Sequence, residues 1–306
     1  MDVLLLKISN FIIANMQFVK SSSVINGKMG IVIFFYEYGR YSHNNVYTYI
    51  ADILLDEILE SLSSNNMDSI ISVGWGIQYL LNNEYVEGCS DEVLEDFDIR
   101  VQEIINSISK IDTDLYSKIT MRSDFVFFLD SYILLRENAL IRNCTNLKHI
   151  IYFYQSLLLA NKLCPMNFLN SCYAFVSNIH SSIDTDIDIT YFTKILNDRY
   201  VKSIANHKYN AGDLKFLSKI RRDSSIFLSN IEIDDLICFK SSLEVFHYTI
   251  FELLYFDEDY NLPYCEVIND KEYDLIWCKN DMFLSLGALS GIGIGVVKRM
   301  NSLKSL

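Results

Sequence analysis

Apolar and polar residues separate onto two sides of a helix between residues 91 and 110. The polar side of this stretch consists of Glu95, Asp98, Gln102 and Asn106. Apolar residues fill the other side with the helical period of about 3.6 residues. Ser90 comes just before it and is a residue type that caps helix N-termini. The pattern predicts an outer helix with one face in solvent and Ser90 as its N-cap.

A second amphipathic helix is predicted between residues 46 and 62. The apolar row of this segment is formed by Ile50, Leu54 and Ile58, and its charged row by Asp52, Asp56 and Glu60. Residues four apart lie on the same helix face. This segment is therefore also expected to be an outer helix.

A different kind of segment precedes each outer helix. Residues 29–38 and 75–81 are apolar nearly all round, and each is entered through glycines. An apolar run of this length is consistent with a buried strand or a buried helix. We favour buried helices, because each run is followed by a long amphipathic helix.

The two pairs of segments form a repeat of glycine turn, inner helix, polar loop and outer helix. Gly30-Ile31 and Gly76-Ile77 lie 46 residues apart, and Gly291-Ile292 repeats the same pair near the end of the chain. A fixed period of 20 to 50 residues is typical of repeat architectures. Weaker starts are placed near Asp124, Ser171, Gly212 and His247, which gives about seven helical hairpins.

Inner helices that are apolar on all sides must surround one another to be buried. The predicted fold is therefore all-α, an α/α toroid in which a ring of inner helices is sheathed by outer ones, as a single domain over residues 1–306. The chain has 2 Pro and 11 Gly. So few turn residues argue against a β sandwich or barrel.

The net charge of the chain indicates which kinds of molecule it could bind. Its formal net charge is −13, from 26 Lys and Arg against 39 Asp and Glu. Nucleic acids are bound by clustered cations, so a nucleic-acid partner is not expected. A negative field of this size would instead attract a cationic peptide.

The cysteines and the apolar runs indicate a cytoplasmic protein. The 7 Cys include no CxxC pair, which is typical of reduced thiols rather than a disulfide framework. The first residues lack a signal-peptide cleavage site. The longest weakly polar run, residues 283–297, is too short for a membrane span. We expect neither a membrane partner nor secretion.

The glycine motifs resemble the GxxGI-type repeats of the lanthionine synthetase C-like (LanC-like) family. The motifs occupy residues 26–31, 72–77 and 285–293, and the glycines assigned to the repeat are Gly27, Gly30, Gly74, Gly76, Gly291 and Gly293. The resemblance implies an α/α toroid of seven inner and seven outer helices. It also implies a peptide cyclase in which zinc, held by two cysteines and a histidine, activates a substrate cysteine for addition to a dehydrated residue.

The metal-ligand motifs of that family, Trp-Cys-x-Gly and Cys-His-Gly, do not occur in this chain. Phe246-His247-Tyr248 stands where Cys-His-Gly is expected, and Trp277-Cys278 is followed by Lys279. A catalytic zinc needs three protein ligands and one open position. We therefore predict no zinc, no other cofactor and a non-catalytic relative of the cyclases.

The predicted function is binding of a precursor peptide or of a peptide-modifying enzyme in a lanthipeptide-like pathway. One alternative is a metal-independent peptide-modifying enzyme on the same fold, with His247 as its candidate catalytic residue. A second alternative is a carbohydrate-active toroid, because residues 255–264 combine aromatic rings with carboxylates, and glycosidases use two facing carboxylates.

Overall fold

A computed structural model describes residues 2–25, 27–62, 67–108, 123–136, 143–161, 163–182, 189–206 and 286–304. All regular structure in these ranges is helical, so the all-α prediction is confirmed for them. The chain divides into two compact units, Met1–Ser69 with Cys238–Leu306, and Ile70–Ile237. The single domain over residues 1–306 stays a prediction.

The described helices follow in chain order, with a 3₁₀ turn at Met16–Phe18 after the first. They are α1 Asp2–Asn15, α2 Lys28–Ser42, α3 Asn45–Ser61, α4 Met67–Asn82, α5 Ser90–Val93, α6 Glu95–Ile108, α7 Ser123–Leu135, α8 Cys144–Ala160, α9 Met166–Ser182, α10 Thr190–Ala205 and α11 Leu286–Lys304. None of these helices meets the length and hydropathy required to cross a membrane.

In the first unit α2 is the central helix. Every residue from Met29 to Gly39 is buried, because α2 packs against both α3 and α11. Helix α3 begins after Asn44, whose side chain accepts a hydrogen bond from the Val46 amide, the usual role of an N-cap. Helix α1 packs on α11 and α2. Helices from the beginning and the end of the chain therefore share one core.

In the second unit α9 packs on both α7 and α10, and α8 packs on both α6 and α10. Residues 70–80 of α4 are buried without interruption. The segments predicted at residues 29–38, 46–62 and 75–81 correspond to the helices α2, α3 and α4, and the described residues of 91–110 are helical apart from a break at Leu94. Their arrangement as the inner and outer rings of a toroid stays a prediction.

The weaker repeat starts have different outcomes. Those near Asp124 and Ser171 correspond to α7 and α9, and both are helices rich in buried residues. Those near Gly212 and His247 lie outside the described residues.

Three details of the 91–110 segment were predicted wrongly. Ser90 is the first residue of α5, and the N-cap residue is Cys89, which makes no side-chain cap. A break at Leu94 separates α5 from α6. Asp98, expected on the solvent side, is only 6% exposed. The positions of Ser90 and Asp98 have one cause, because both side chains accept hydrogen bonds from the same buried arginine, Arg136.

Candidate functional site

The first and the last glycine motifs meet in the first unit. A Cβ atom on Gly30 would lie 3.3 Å from the Ser290 hydroxyl oxygen, and one on Gly293 would lie 2.3 Å from a ring carbon of Phe34. Gly27 is the N-cap residue of α2. Gly293 therefore allows α2 and α11 to approach more closely than a side chain would permit, whereas Gly27 and Gly30 leave room for the backbone of residues 21–24.

A buried ion pair joins the same two helices. The Lys298 ammonium lies 3.1 Å from a carboxylate oxygen of Glu37, and the Glu37 side chain is 2% exposed. A charge buried to this degree is stable only when it is paired. The pair therefore supplies a specific contact between α2 and α11 in addition to their close packing.

The other predicted site residues are placed as follows. Gly74 lies in α4, and a Cβ there would lie 3.0 Å from the rings of both Phe97 and Tyr132. Gly76 in α4 and Gly291 in α11 are buried. The candidate catalytic residue His247 lies outside the described residues.

Arg136 is the centre of a buried polar cluster in the second unit. The residue follows α7 directly, and its side chain is 1% exposed. Its guanidinium donates to both carboxylate oxygens of Asp98, at 3.1 and 2.7 Å, and to Asp91 at 2.8 Å. The remaining donors reach Gln78 and Ser90. All five N–H groups of an arginine are thus directed at acceptors.

The cluster links four helices through one cation. Gln78 belongs to α4, Ser90 and Asp91 to α5, and Asp98 to α6. Tyr132 of α7 also donates to Asp98, at 2.7 Å. Burial alone would lower the pKa of Arg136, but the hydrogen bonds and charge of Asp98 raise it. With its donors satisfied within the chain, this arginine has the chemistry of a structural group rather than of a substrate-binding one.

Asp130 of α7 is the most unusual titratable group in the described part of the chain. Its carboxyl is fully buried and accepts a hydrogen bond from the Tyr154 hydroxyl of α8. Its second oxygen has no hydrogen-bond partner in the structure. Burial raises the pKa of Asp130 well above its ordinary value. Burial with only one hydrogen-bond donor favours the protonated, neutral form of this carboxyl.

A second buried titratable group near Asp130 is the Cys172 thiol of α9. Burial raises the pKa of Cys172 well above its ordinary value. The thiolate is the reactive form of cysteine. Because Cys172 is 0% exposed and is held as the thiol, it has the properties of a core residue and not of a nucleophile.

We expect Asp130→Asn to remove a pH dependence of stability. A carboxyl with a raised folded-state pKa favours folding fully below its unfolded pKa of about 3.9, and this contribution is lost as the pH rises through the folded pKa. Urea denaturation at about pH 4 and about pH 8 should show the variant gaining stability over wild type with rising pH, by about 1.4 kcal/mol per unit of pKa shift.

The matched control for this prediction is Tyr154→Phe. It removes the hydroxyl that bonds to Asp130 but keeps the carboxyl, so the dependence on pH should persist. Equal pH dependence of wild type and Asp130→Asn would show that Asp130 does not titrate in this range.

The described residues do not fit the zinc site that the family resemblance implies. In the described ranges no three His, Cys, Asp or Glu side chains are grouped so as to hold a metal ion. Burial also raises the pKa of Cys164 to about 11, whereas a metal binds the thiolate. The remaining cysteines, Cys238, Cys265 and Cys278, lie outside the described residues.

Exposed carboxylates are the main surface feature of both units. From residue 44 to residue 99 the chain contains no Lys, Arg or His but twelve Asp and Glu, so this segment carries nearly all of the excess negative charge. In the second unit these carboxylates form what we term the acidic surface, around α5 and the start of α6. Its members, all exposed, are Glu84, Glu87, Asp91, Glu92, Glu95 and Asp96.

In the first unit exposed acidic residues occupy α3. Asp56 and Glu60 point to solvent, Asp52 accepts a hydrogen bond from Tyr36, and Glu57 pairs with Lys28. Clustered charges of one sign raise the local concentration of oppositely charged ligands. The stretch without basic residues is readable in the sequence, and it is the signal that would have located these surfaces.

Comparisons of the chain with family models, with curated proteins and with solved structures give no match.

Proposed function

We propose that the chain is a lanthionine synthetase C-like protein that binds a cationic peptide without zinc chemistry. The peptide is a precursor peptide or a basic segment of a peptide-modifying enzyme. The observation that carries the proposal is the concentration of exposed carboxylates within residues 44–99, where no basic residue is present. Such a surface favours cationic ligands and repels anionic ones.

The packing of the helices supports an α/α toroid as the scaffold. A ring requires the end of the chain to pack against its beginning, and α11 packs on both α1 and α2. It also requires alternating inner and outer helices, and α2 and α4 are buried where α3 and α6 each keep one exposed face. The first and the last glycine motifs of the resemblance meet at the contact between α2 and α11, whereas the middle motif lies in α4.

We further propose that the protein acts in the cytoplasm. Among the described residues Cys89 and Cys144 are exposed and unpaired. Exposed free thiols persist in reducing compartments. A peptide-modification pathway in the cytoplasm agrees with this chemistry.

Calorimetry with a lysine- and arginine-rich peptide provides the direct test. We expect binding to the wild-type protein that weakens when salt is raised from about 50 to about 300 mM, because salt screens exposed charges. The variant Glu87→Gln/Glu92→Gln/Glu95→Gln/Asp96→Asn should bind about ten-fold more weakly, since each exposed pair contributes about 0.2 to 1 kcal/mol.

An acidic peptide of the same length is the control and should not bind. An affinity that is independent of salt, or a neutralised variant that binds as well as wild type, would contradict the proposal. Far-UV circular dichroism of the variant establishes that its helices are retained. All four substituted residues are exposed, so little loss of stability is expected.

A further inference from the structure

An exposed ridge runs along α3 on the side opposite its buried face. Val46, Tyr49 and Ile53 are 59%, 65% and 49% exposed, although they are large apolar residues. Their spacing of three and four places them within an arc of about 60° on the helix. Single exposed apolar residues are ordinary on protein surfaces, but three in register form a continuous apolar row.

The same arc becomes acidic toward the C-terminus of α3. Asp56 and Glu60 continue the row after Ile53, and both are exposed. We term these five residues the α3 ridge: Val46, Tyr49, Ile53, Asp56 and Glu60. Its other side is anchored in the core by Tyr47, Ala51, Leu54 and Ile58. The ridge is therefore a rigid surface, apolar in its first half and anionic in its second.

We infer that the α3 ridge docks an amphipathic cationic helix of the partner. This inference rests on the proposed function and adds to the acidic surface of the second unit a binding surface for an amphipathic segment of the partner. The apolar row spans about 10 Å along α3, at 1.5 Å per residue, which matches about two turns of a second helix. Apolar anchors on the partner would cover Tyr49 and Ile53, and Lys or Arg near one end would face Asp56 and Glu60.

Charge selects this occupant over a second copy of the chain. A second copy would bring its own Asp56 and Glu60 to the contact or place its net charge of −13 nearby, and like charges at an interface oppose association. A purely cationic peptide would leave Tyr49 and Ile53 in water. Only a ligand with both an apolar row and positive charge complements the whole ridge.

Two peptides of equal charge separate this inference from the proposed function. The first peptide is a designed helix with leucines three and four positions apart and lysines beside them. The second has the same composition in an order that scatters the leucines around the helix. Wild type should bind the first about ten-fold more tightly than the second, because only the first presents an apolar row.

The ridge variant Tyr49→Ala/Ile53→Ser should remove this preference. Its affinity for the amphipathic peptide is expected to fall about ten-fold, as for interface anchors in general, while its affinity for the scattered peptide is unchanged. The matched control is Tyr152→Ala/Leu159→Ser on α8, where the two residues are 63% and 52% exposed. This control should bind both peptides as wild type does.

The remaining outcomes each have a distinct meaning. Equal binding of both peptides by wild type and by the ridge variant would overturn the inference and leave the proposed function standing. Failure of wild type to bind either peptide would overturn both. Sedimentation that shows a dimer dissolved by Tyr49→Ala/Ile53→Ser would assign the ridge to a second copy and overturn the inference as well.

Discussion

Arg136→Met is expected to lower the free energy of unfolding by about 3 to 5 kcal/mol, the usual result of removing one partner of a buried ion pair. The methionine fills much of the space of the arginine stem but donates no hydrogen bond. Asp98, 6% exposed, would keep only the Tyr132 hydroxyl among the donors described above. Gln78 and Ser90 would also lose a donor. Urea denaturation with a far-UV signal measures the effect.

Three further variants determine whether the loss comes from the buried pair. Asp91→Asn should change stability by less than about 1 kcal/mol, because the Asp91 side chain is 65% exposed and exposed pairs contribute little. Arg136→Lys keeps the charge but cannot supply the bidentate contact to Asp98, so an intermediate loss is expected. Arg136→Met combined with Asp98→Asn should cost less than the sum of the single changes. An Arg136→Met variant as stable as wild type would refute the structural role.

The buried helix α2 and the half-exposed helix α3 could be predicted from the sequence, because the covered side of a helix carries apolar residues. Residues 29–38 are apolar apart from Glu37, and in α2 every residue from Met29 to Gly39 is buried. In residues 46–62 the apolar and charged rows are separated, and α3 buries Leu54 and Ile58 while Asp56 and Glu60 stay exposed. Hydrophobic periodicity reports which face of a helix is covered, and in these segments it was sufficient.

The buried polar groups could not be predicted in the same way. Asp98 lies at a polar position of its helix, and its partner Arg136 is separated from it by 38 residues. Hydrophobic periodicity indicates the face of the helix on which a residue lies, but it does not identify the residue that it contacts in another helix. Asp130, unlike Asp98, lies within an apolar run of the sequence. Only the structure shows that its carboxyl is accommodated there by a hydrogen bond from Tyr154.

The binding surfaces could be predicted from the sequence only in part. The net charge indicated a cationic partner, but the apolar row of the α3 ridge was not recognised. Val46, Tyr49 and Ile53 are the kind of residues that a pattern assigns to a core, and the structure leaves them exposed. An apolar residue outside the buried arc of an amphipathic helix is the signal that would have located this ridge.

Phe34 is the reason that Gly293 cannot carry a side chain. The Phe34 ring is 0% exposed, with the Phe35 ring centroid at 5.3 Å and the Tyr38 centroid at 5.7 Å. A Cβ on Gly293 would lie 2.3 and 2.5 Å from two carbons of the Phe34 ring. Since the ring is enclosed on several sides, relief of this clash requires α11 to move away from α2.

Gly293→Ala is therefore expected to lower the free energy of unfolding by about 2 kcal/mol, because so close a clash should cost the upper part of the usual range, about 3 kcal/mol, and replacing glycine within a helix returns only about 1 kcal/mol. Phe34→Leu removes ring carbons at the clash. In the Phe34→Leu background, Gly293→Ala should cost clearly less, and the coupling in a double-mutant cycle measures the contact. Additive effects would mean that α11 does not pack on Phe34. This contact joins α11, near the end of the chain, to α2, near its beginning. The same double-mutant cycle therefore tests whether these two helices share one core.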